Sequence, residues 1–194
     1  MAHLASFLIH LNWVDILAFV IFLRILIVGL KNGAASEGFK LAAALVAAYV
    51  SLHYYRTAAE FLGNEYILDA RTLEGSLFAV LACLGYAAIG FARLLFERFV
   101  NMTVVPALSR WGGCFLGILR AFLLTSLLFY FFMATDNPYL RKSVKTSISG
   151  TGLVFLAPSV YGFVWKTLMS KLTPNDTFNN AVFEIDRDHP KKKK

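Results

Sequence analysis

Cysteine is nearly absent from this chain: Cys83 and Cys114 are the only two in 194 residues. Both fall inside long apolar stretches, where a thiol behaves as a small apolar side chain, and no disulfide framework is expected. Charge is thin as well, at 16% of residues, against roughly 25% in ordinary soluble domains. Histidine offers little to a metal. His3 and His10 precede the first apolar run and His53 closes the second beside Tyr54, Tyr55 and Arg56, so no two stand at the close helical spacing that ligation favours. No phosphate-cradling Gly-Lys-Ser/Thr loop occurs, and Ser109 precedes Arg110 without a nucleophile elbow. The expectation is a protein without enzymatic activity, cofactor or metal.

Apolar residues are what the chain has. Hydrophobic residues make up 58% and aromatic ones 15%, with a mean hydropathy of +0.61. That is far more than a small aqueous core hides. Four apolar runs, about 13–30, 39–55, 76–96 and 111–133, come close to or within the roughly 17 to 25 helical residues that cross a bilayer. The fold expected is all-α and polytopic: four transmembrane helices plus a C-terminal amphipathic or re-entrant helix. Three regions follow, a transmembrane domain over 1–136, a membrane-associated helical segment over 137–172 and a polar, disordered tail over 173–194. The N-terminus has no Lys or Arg before its first apolar residues and no small-x-small cleavage site, and reads as retained.

A net charge of +7 raises the question of nucleic acid, but the basic residues border apolar runs and form no stripe interleaved with exposed aromatics. The lipid bilayer is the expected partner, with a second copy or other membrane proteins beside it. Cytoplasmic loops collect Lys and Arg. Lys31 and Lys40 lie in the first link and Arg93, Arg98 and Arg110 about the third, whereas the second sets Arg56 and Arg71 against Glu60, Glu65, Asp69 and Glu74. Links one and three therefore face the cytoplasm and the N-terminus faces outward. Four spans put the C-terminus outside too, in conflict with Arg141, Lys142, Lys145 and the closing Lys191, Lys192, Lys193 and Lys194. A fifth crossing over 148–169 would remove the conflict. A helix lying on or dipping into the membrane is preferred, because Ser147, Ser149, Gly150, Thr151, Gly152 and Pro158 make a poor span, while Val154, Phe155, Tyr161, Phe163 and Trp165 suit an interfacial face.

Small residues recur at four-residue spacing inside the runs, where they let helix backbones approach closely. Ala43, Ala47 and Ser51 form one ridge, Gly113, Gly117 and Ala121 another, and Gly29 and Gly33 repeat the spacing where the first run ends. Bundle packing and an oligomer interface are both open for these faces. Charges within runs are sharper clues, since burying one near the bilayer centre costs roughly 2.5 to 3.5 kcal/mol on insertion scales. Arg24, Arg120 and Asp15 sit within runs, with Glu37 and Arg110 at their edges. Asp15 or Glu37 near either arginine would neutralise it, as a helix-tying ion pair or as part of a polar pathway.

The order of these features resembles the colicin V production protein (CvpA) family of bacterial inner-membrane proteins. Asn12-Trp13-Val14-Asp15 leads into a run ending Gly29-Leu30-Lys31-Asn32-Gly33, with Glu37 after it. This is similar to the family's opening Asp, its Gly-x-Arg/Lys-x-Gly turn and the Glu that follows. Leu108-Ser109-Arg110-Trp111-Gly112-Gly113, continuing through Gly117 to Arg120, resembles its Leu-Asp-Arg-x-x-Gly-x-x-x-Gly-x-x-Lys/Arg signature, and Tyr49 and His53-Tyr54-Tyr55 sit where the family closes its second span. Ser109 departs from the usual acidic residue and Ala121 from a common glycine. The resemblance covers about 12–135. It implies a four-helix inner-membrane protein needed for production of the secreted toxin colicin V, with a broader envelope role elsewhere.

Three functions compete on this reading. An accessory or scaffold protein supporting secretion or envelope maintenance fits the small size and packing ridges. A subunit of an oligomeric channel or transporter would need a polar path near Asp15, Arg24 and Arg120. A membrane enzyme would need clustered catalytic groups that the spacing does not provide.

Overall fold

The computed structural model describes residues 12–63, 70–99, 106–135, 137–173 and 176–185, and among them every regular element is helical. Three long helices come first, α1 (Trp13–Gly63), α2 (Ala70–Phe99) and α3 (Pro106–Ala134). Shorter pieces follow: α4 (Pro138–Thr146), α5 (Ile148–Leu153), α6 (Leu156–Val164), a π-helical turn (Trp165–Met169), α7 (Ser170–Leu172) and a 3-10 turn (Asn180–Phe183). Among the described residues four helical runs are long and apolar enough to cross a membrane, Trp13–Leu62, Thr72–Leu95, Ser109–Ala134 and Ile148–Leu172.

The first run is folded on itself. A straight helix of its 50 residues would be about 75 Å long, more than twice a bilayer's roughly 30 Å apolar core. Gly33 breaks it, with φ 77° and ψ 169° inside otherwise helical geometry. Only glycine takes that conformation cheaply. The arms 13–32 and 34–63 then form a hairpin against α3. Val14 and Ala18 pack with Phe129 and Met133, Gly29 and Gly33 meet Gly113, and Tyr55 meets Tyr130. Hence α3 runs antiparallel to the first arm and parallel to the second. Phe78 against Tyr55 and Gly85 against Ala47 place α2 antiparallel to the second arm. The first two apolar runs are these arms, and helix continues through 31–39 except at Gly33, where the sequence suggested a link.

Small residues fill the helix contacts beside buried aromatics such as Phe78, Phe129 and Tyr130, and other large apolar side chains face outward. Ala43, Ala44, Ala47, Ala48, Ser51 and Ala121 are buried, while Phe19, Phe61, Phe91, Leu94, Trp111 and Phe115 are exposed. Small inward residues allow close backbone approach, and large outward ones suit a surround of lipid tails.

The C-terminal segment differs from the single interfacial helix expected over 148–169. It is a chain of short helices, with local caps starting the first two. Asn137 caps α4 by accepting from the Tyr139 N–H at 3.0 Å, and Ser147 caps α5 by accepting from the Gly150 N–H at 2.9 Å. Val154, Tyr161 and Trp165 turn inward and are buried, whereas Phe155 and Phe163 stay outside. The bonds tying 143–185 to the long helices end on Asn12, Trp13, Asp15, Leu52, His53 and Ser126, in the half remote from Gly33.

The expected disordered tail over 173–194 is corrected for 176–185. Val182 is fully buried, Phe178 stacks on Tyr161 at 5.3 Å, and Asn179 Nδ2 donates to the Leu52 carbonyl at 2.9 Å. Spaced apolar residues, Phe178, Val182, Phe183 and Ile185, hold down a stretch whose average composition is polar. The terminal lysines lie outside the described residues.

Candidate functional site

The polar residues singled out in the sequence gather into three clusters. The first is the elbow at Gly33. Past the break the second arm starts with unpaired N–H groups, as every helix does. Ser109 Oγ on α3 accepts from the Ala34 N–H at 3.3 Å. A side chain on a neighbouring helix thus supplies the cap that Gly33 lacks. Ser109, the residue departing from the family's usual acid, still places an oxygen where the helix start needs one.

One turn further, Glu37 is completely buried. Its Oε1 accepts from Lys40 Nζ at 2.8 Å and from Asn32 Nδ2 at 3.4 Å, and its Oε2 lies 2.9 Å from Arg120 Nη1. That last approach is off the hydrogen-bonding direction, so it is an ion pair, and Oε2 and Arg120 Nε carry no hydrogen bond among the described residues. Arg120 is 5% exposed. Here the carboxylate sits between two cations, and taking one away would strand the other groups in a dry site. Close packing surrounds the pair. A Cβ on Gly29 would sit 2.7 Å from the Gly113 carbonyl oxygen, and Gly117 faces both Gly29 and Glu37.

The second cluster lies at the other end of the first arm. Asp15 accepts from the Ser149 N–H at 2.8 Å, the Ser149 hydroxyl at 2.5 Å and the Ile148 N–H at 3.4 Å, so it caps α5 from across the fold. Asn12 Nδ2 donates to the Ser143 carbonyl at 2.8 Å and Trp13 Nε1 to Ser143 Oγ at 3.1 Å. The opening Asn-Trp-x-Asp motif is therefore a clamp on α4 and α5. A helix start carrying two serines, Ser147 and Ser149, was a signal that an acceptor would be required there.

The third cluster was missed. His53, 5% exposed, is hydrogen-bonded to Tyr161 Oη through Nδ1 and to Asp176 through Nε2, each at 2.9 Å. Asn179 N–H donates to the same Tyr161 oxygen at 3.1 Å. One assignment satisfies all: Tyr161 donates to Nδ1, and Nε2–H donates to the Asp176 carboxylate. Tyr49 and Trp165 stack on the imidazole at 5.3 and 5.1 Å. His53, at the close of the second apolar run, is thus the buried centre of a hub with Tyr49, Tyr161 and Trp165, while Tyr54 is exposed. Asp176 sits in a polar stretch, over a hundred residues away, with no local pattern to give it away.

Asp15, Arg24 and Arg120 do not come together. Asp15 is bound to α5 and Arg120 to Glu37, while Arg24 and Arg110 are exposed. Arg24 has no hydrogen-bond or ion-pair partner among the described residues. The glycines and alanines of both ridges lie at interhelix contacts within the chain. No three His, Cys, Asp or Glu among the described residues converge as a metal ion would require, and both cysteines are free.

Helices long and apolar enough to cross a membrane, with many large apolar side chains facing outward, define a helical membrane protein. The description Colicin V production protein matches residues 14–158, well over half of the chain, which belongs to that family. Comparison with curated proteins and with solved structures gives no match.

Proposed function

We propose that this chain is a multi-pass inner-membrane accessory protein. It supports production of colicin V-type secreted toxins in hosts that carry them, and envelope maintenance elsewhere. In this reading the two arms of α1, α2 and α3 make four crossings, the basic end with Gly33, Arg93 and Arg110 faces the cytoplasm, and the α4–α7 segment stays on the outer side. The protein works as a scaffold and not as an enzyme.

One observation carries the reading: the buried charges are engaged in fastening helices, Glu37 to Arg120 and Asp15 to the start of α5. The test is complementation in a deletion strain carrying a colicin V-type plasmid, measuring toxin in the medium, together with solute flux into liposomes holding the purified chain. Restored toxin release with no flux is expected. Flux that disappears in a folded Arg120→Gln variant would defeat the scaffold reading.

A second reading, a subunit of an oligomeric channel, is favoured by Arg24. It stands half-way along the first arm among the exposed Phe19, Val20, Leu23 and Ile27, where an unpaired charge is expensive unless a partner or water meets it.

A further inference from the structure

The second arm of α1 and α2 touch closely at one level and separate at another. At Gly85 a Cβ would come within 2.9 Å of Ala47 Cα, so the backbones are in contact. About one and a half turns further along α2, a Cβ on Gly90 would meet nothing within 4 Å. Between the diverging helices lies an open groove of about 440 Å³, within the roughly 300 to 1,000 Å³ of small-molecule sites.

Its chemistry is divided. Phe39, Tyr86, Ile89 and Leu94 supply apolar walls, and Lys40 and Arg93 bring in cations from opposite helices. Lys40 gives Glu37 one hydrogen bond, while an ammonium has three donors and a guanidinium five. Arg120 already balances the Glu37 charge at 2.9 Å. Multiple donors let both groove cations accept an anion while keeping their present contacts.

We infer that this groove is a binding site for an anionic phospholipid, with the headgroup phosphate between Lys40 and Arg93 and an acyl chain lying over Gly90 along the apolar walls. A free phosphate would use the cations but gain nothing from Phe39, Tyr86, Ile89 and Leu94. A zwitterionic lipid would fill the walls but bring a cation of its own up to Lys40 and Arg93. An anionic lipid matches both parts, and the opening lies on the outside of two helices long and apolar enough to sit in a bilayer.

The test uses the full-length chain in phosphatidylcholine nanodiscs doped with spin-labelled phosphatidylglycerol or spin-labelled phosphatidylcholine, reading the motionally restricted fraction. Preference for phosphatidylglycerol is expected in the wild type. It should fall about fivefold in Arg93→Gln, the usual share of one basic residue at an anionic headgroup. Gly90→Leu keeps both cations and fits open space, so it should fold normally and lose the preference by filling the chain slot. Equal restriction of the two lipids would overturn the proposal. So would a preference unchanged in Gly90→Leu, which would mean general surface charge, or full displacement by inorganic phosphate, which would mean an anion site without a lipid chain.

Discussion

Glu37 Oε2 and Arg120 Nη1 stand 2.9 Å apart, both side chains buried where the second arm of α1 leaves the Gly33 elbow beside α3. The two charges come from distant parts of the sequence, and their contact fixes the register of α3 against the hairpin. Removing one partner from a buried pair costs about 3–5 kcal/mol, whereas replacing both with apolar groups of similar volume is often close to neutral. That asymmetry separates a structural fastening from a functional charge.

Gly33→Ala should destabilise the chain by about 1–3 kcal/mol, because alanine is strained at φ 77°. Its Cβ would also collide with the Ser109 hydroxyl. Thermal unfolding in detergent of Gly33→Ala, alone and combined with Ser109→Ala, measures the two causes. The double variant should remain well below wild type, since removing the hydroxyl relieves the collision but not the backbone strain and also takes away the Ala34 cap, a loss that Ser109→Ala alone measures.

Asp15→Ala should loosen the start of α5 by about 1–2 kcal/mol, the usual cost of losing a helix cap. Three donors on Ile148 and Ser149 lose their acceptor. Hydrogen exchange should rise over 148–153 and leave α2 unchanged. Uniform loss of protection would mean that the clamp holds the entire fold.

Asp176→Ala should release 176–185 from the bundle. The His53 Nε2 partner is lost, and the contacts left include those of Phe178, Asn179, Val182 and Ile185, whose carbonyl accepts from Arg141. Limited proteolysis should cut there in the variant before it cuts the wild type. Identical cleavage would assign the attachment to the remaining contacts alone.

Side-specific labelling of single cysteines at Asn101, Asp136 and Lys171, in a chain with Cys83 and Cys114 replaced, reads topology. Asn101 should react from the cytoplasmic side and the other two from outside. Label reaching Lys171 from the cytoplasm would make 148–172 a further crossing.

Helix type and the packing ridges were legible because apolar run length and the spacing of glycine and alanine are local signals. Spacing marked Gly29, Gly113 and Ala121 for close approach without separating bundle packing from an oligomer interface, and in the structure they meet other helices of the same chain. The hairpin was only half legible. Gly33 announced a turn, but no local pattern shows that one residue suffices when Ser109 caps the far side. Long-range polar partners were hidden: His53 to Asp176 spans 123 residues, and no local periodicity encodes it. Composition misjudged 176–185, because a few apolar anchors outweigh a polar average once a groove exists to receive them. Arg24 shows the converse, since a charge within an apolar run can face outward as readily as inward.

The most direct measurement compares Arg120→Met with the double variant Glu37→Met/Arg120→Met, which puts apolar groups of similar volume at both buried positions, for folded abundance in the membrane and for toxin release in the complemented strain. If the pair is a fastening, the single variant loses folded protein and the double variant recovers both abundance and release. A double variant that is abundant and folded but fails to support release would contradict the account, because the charges themselves would then be needed for function.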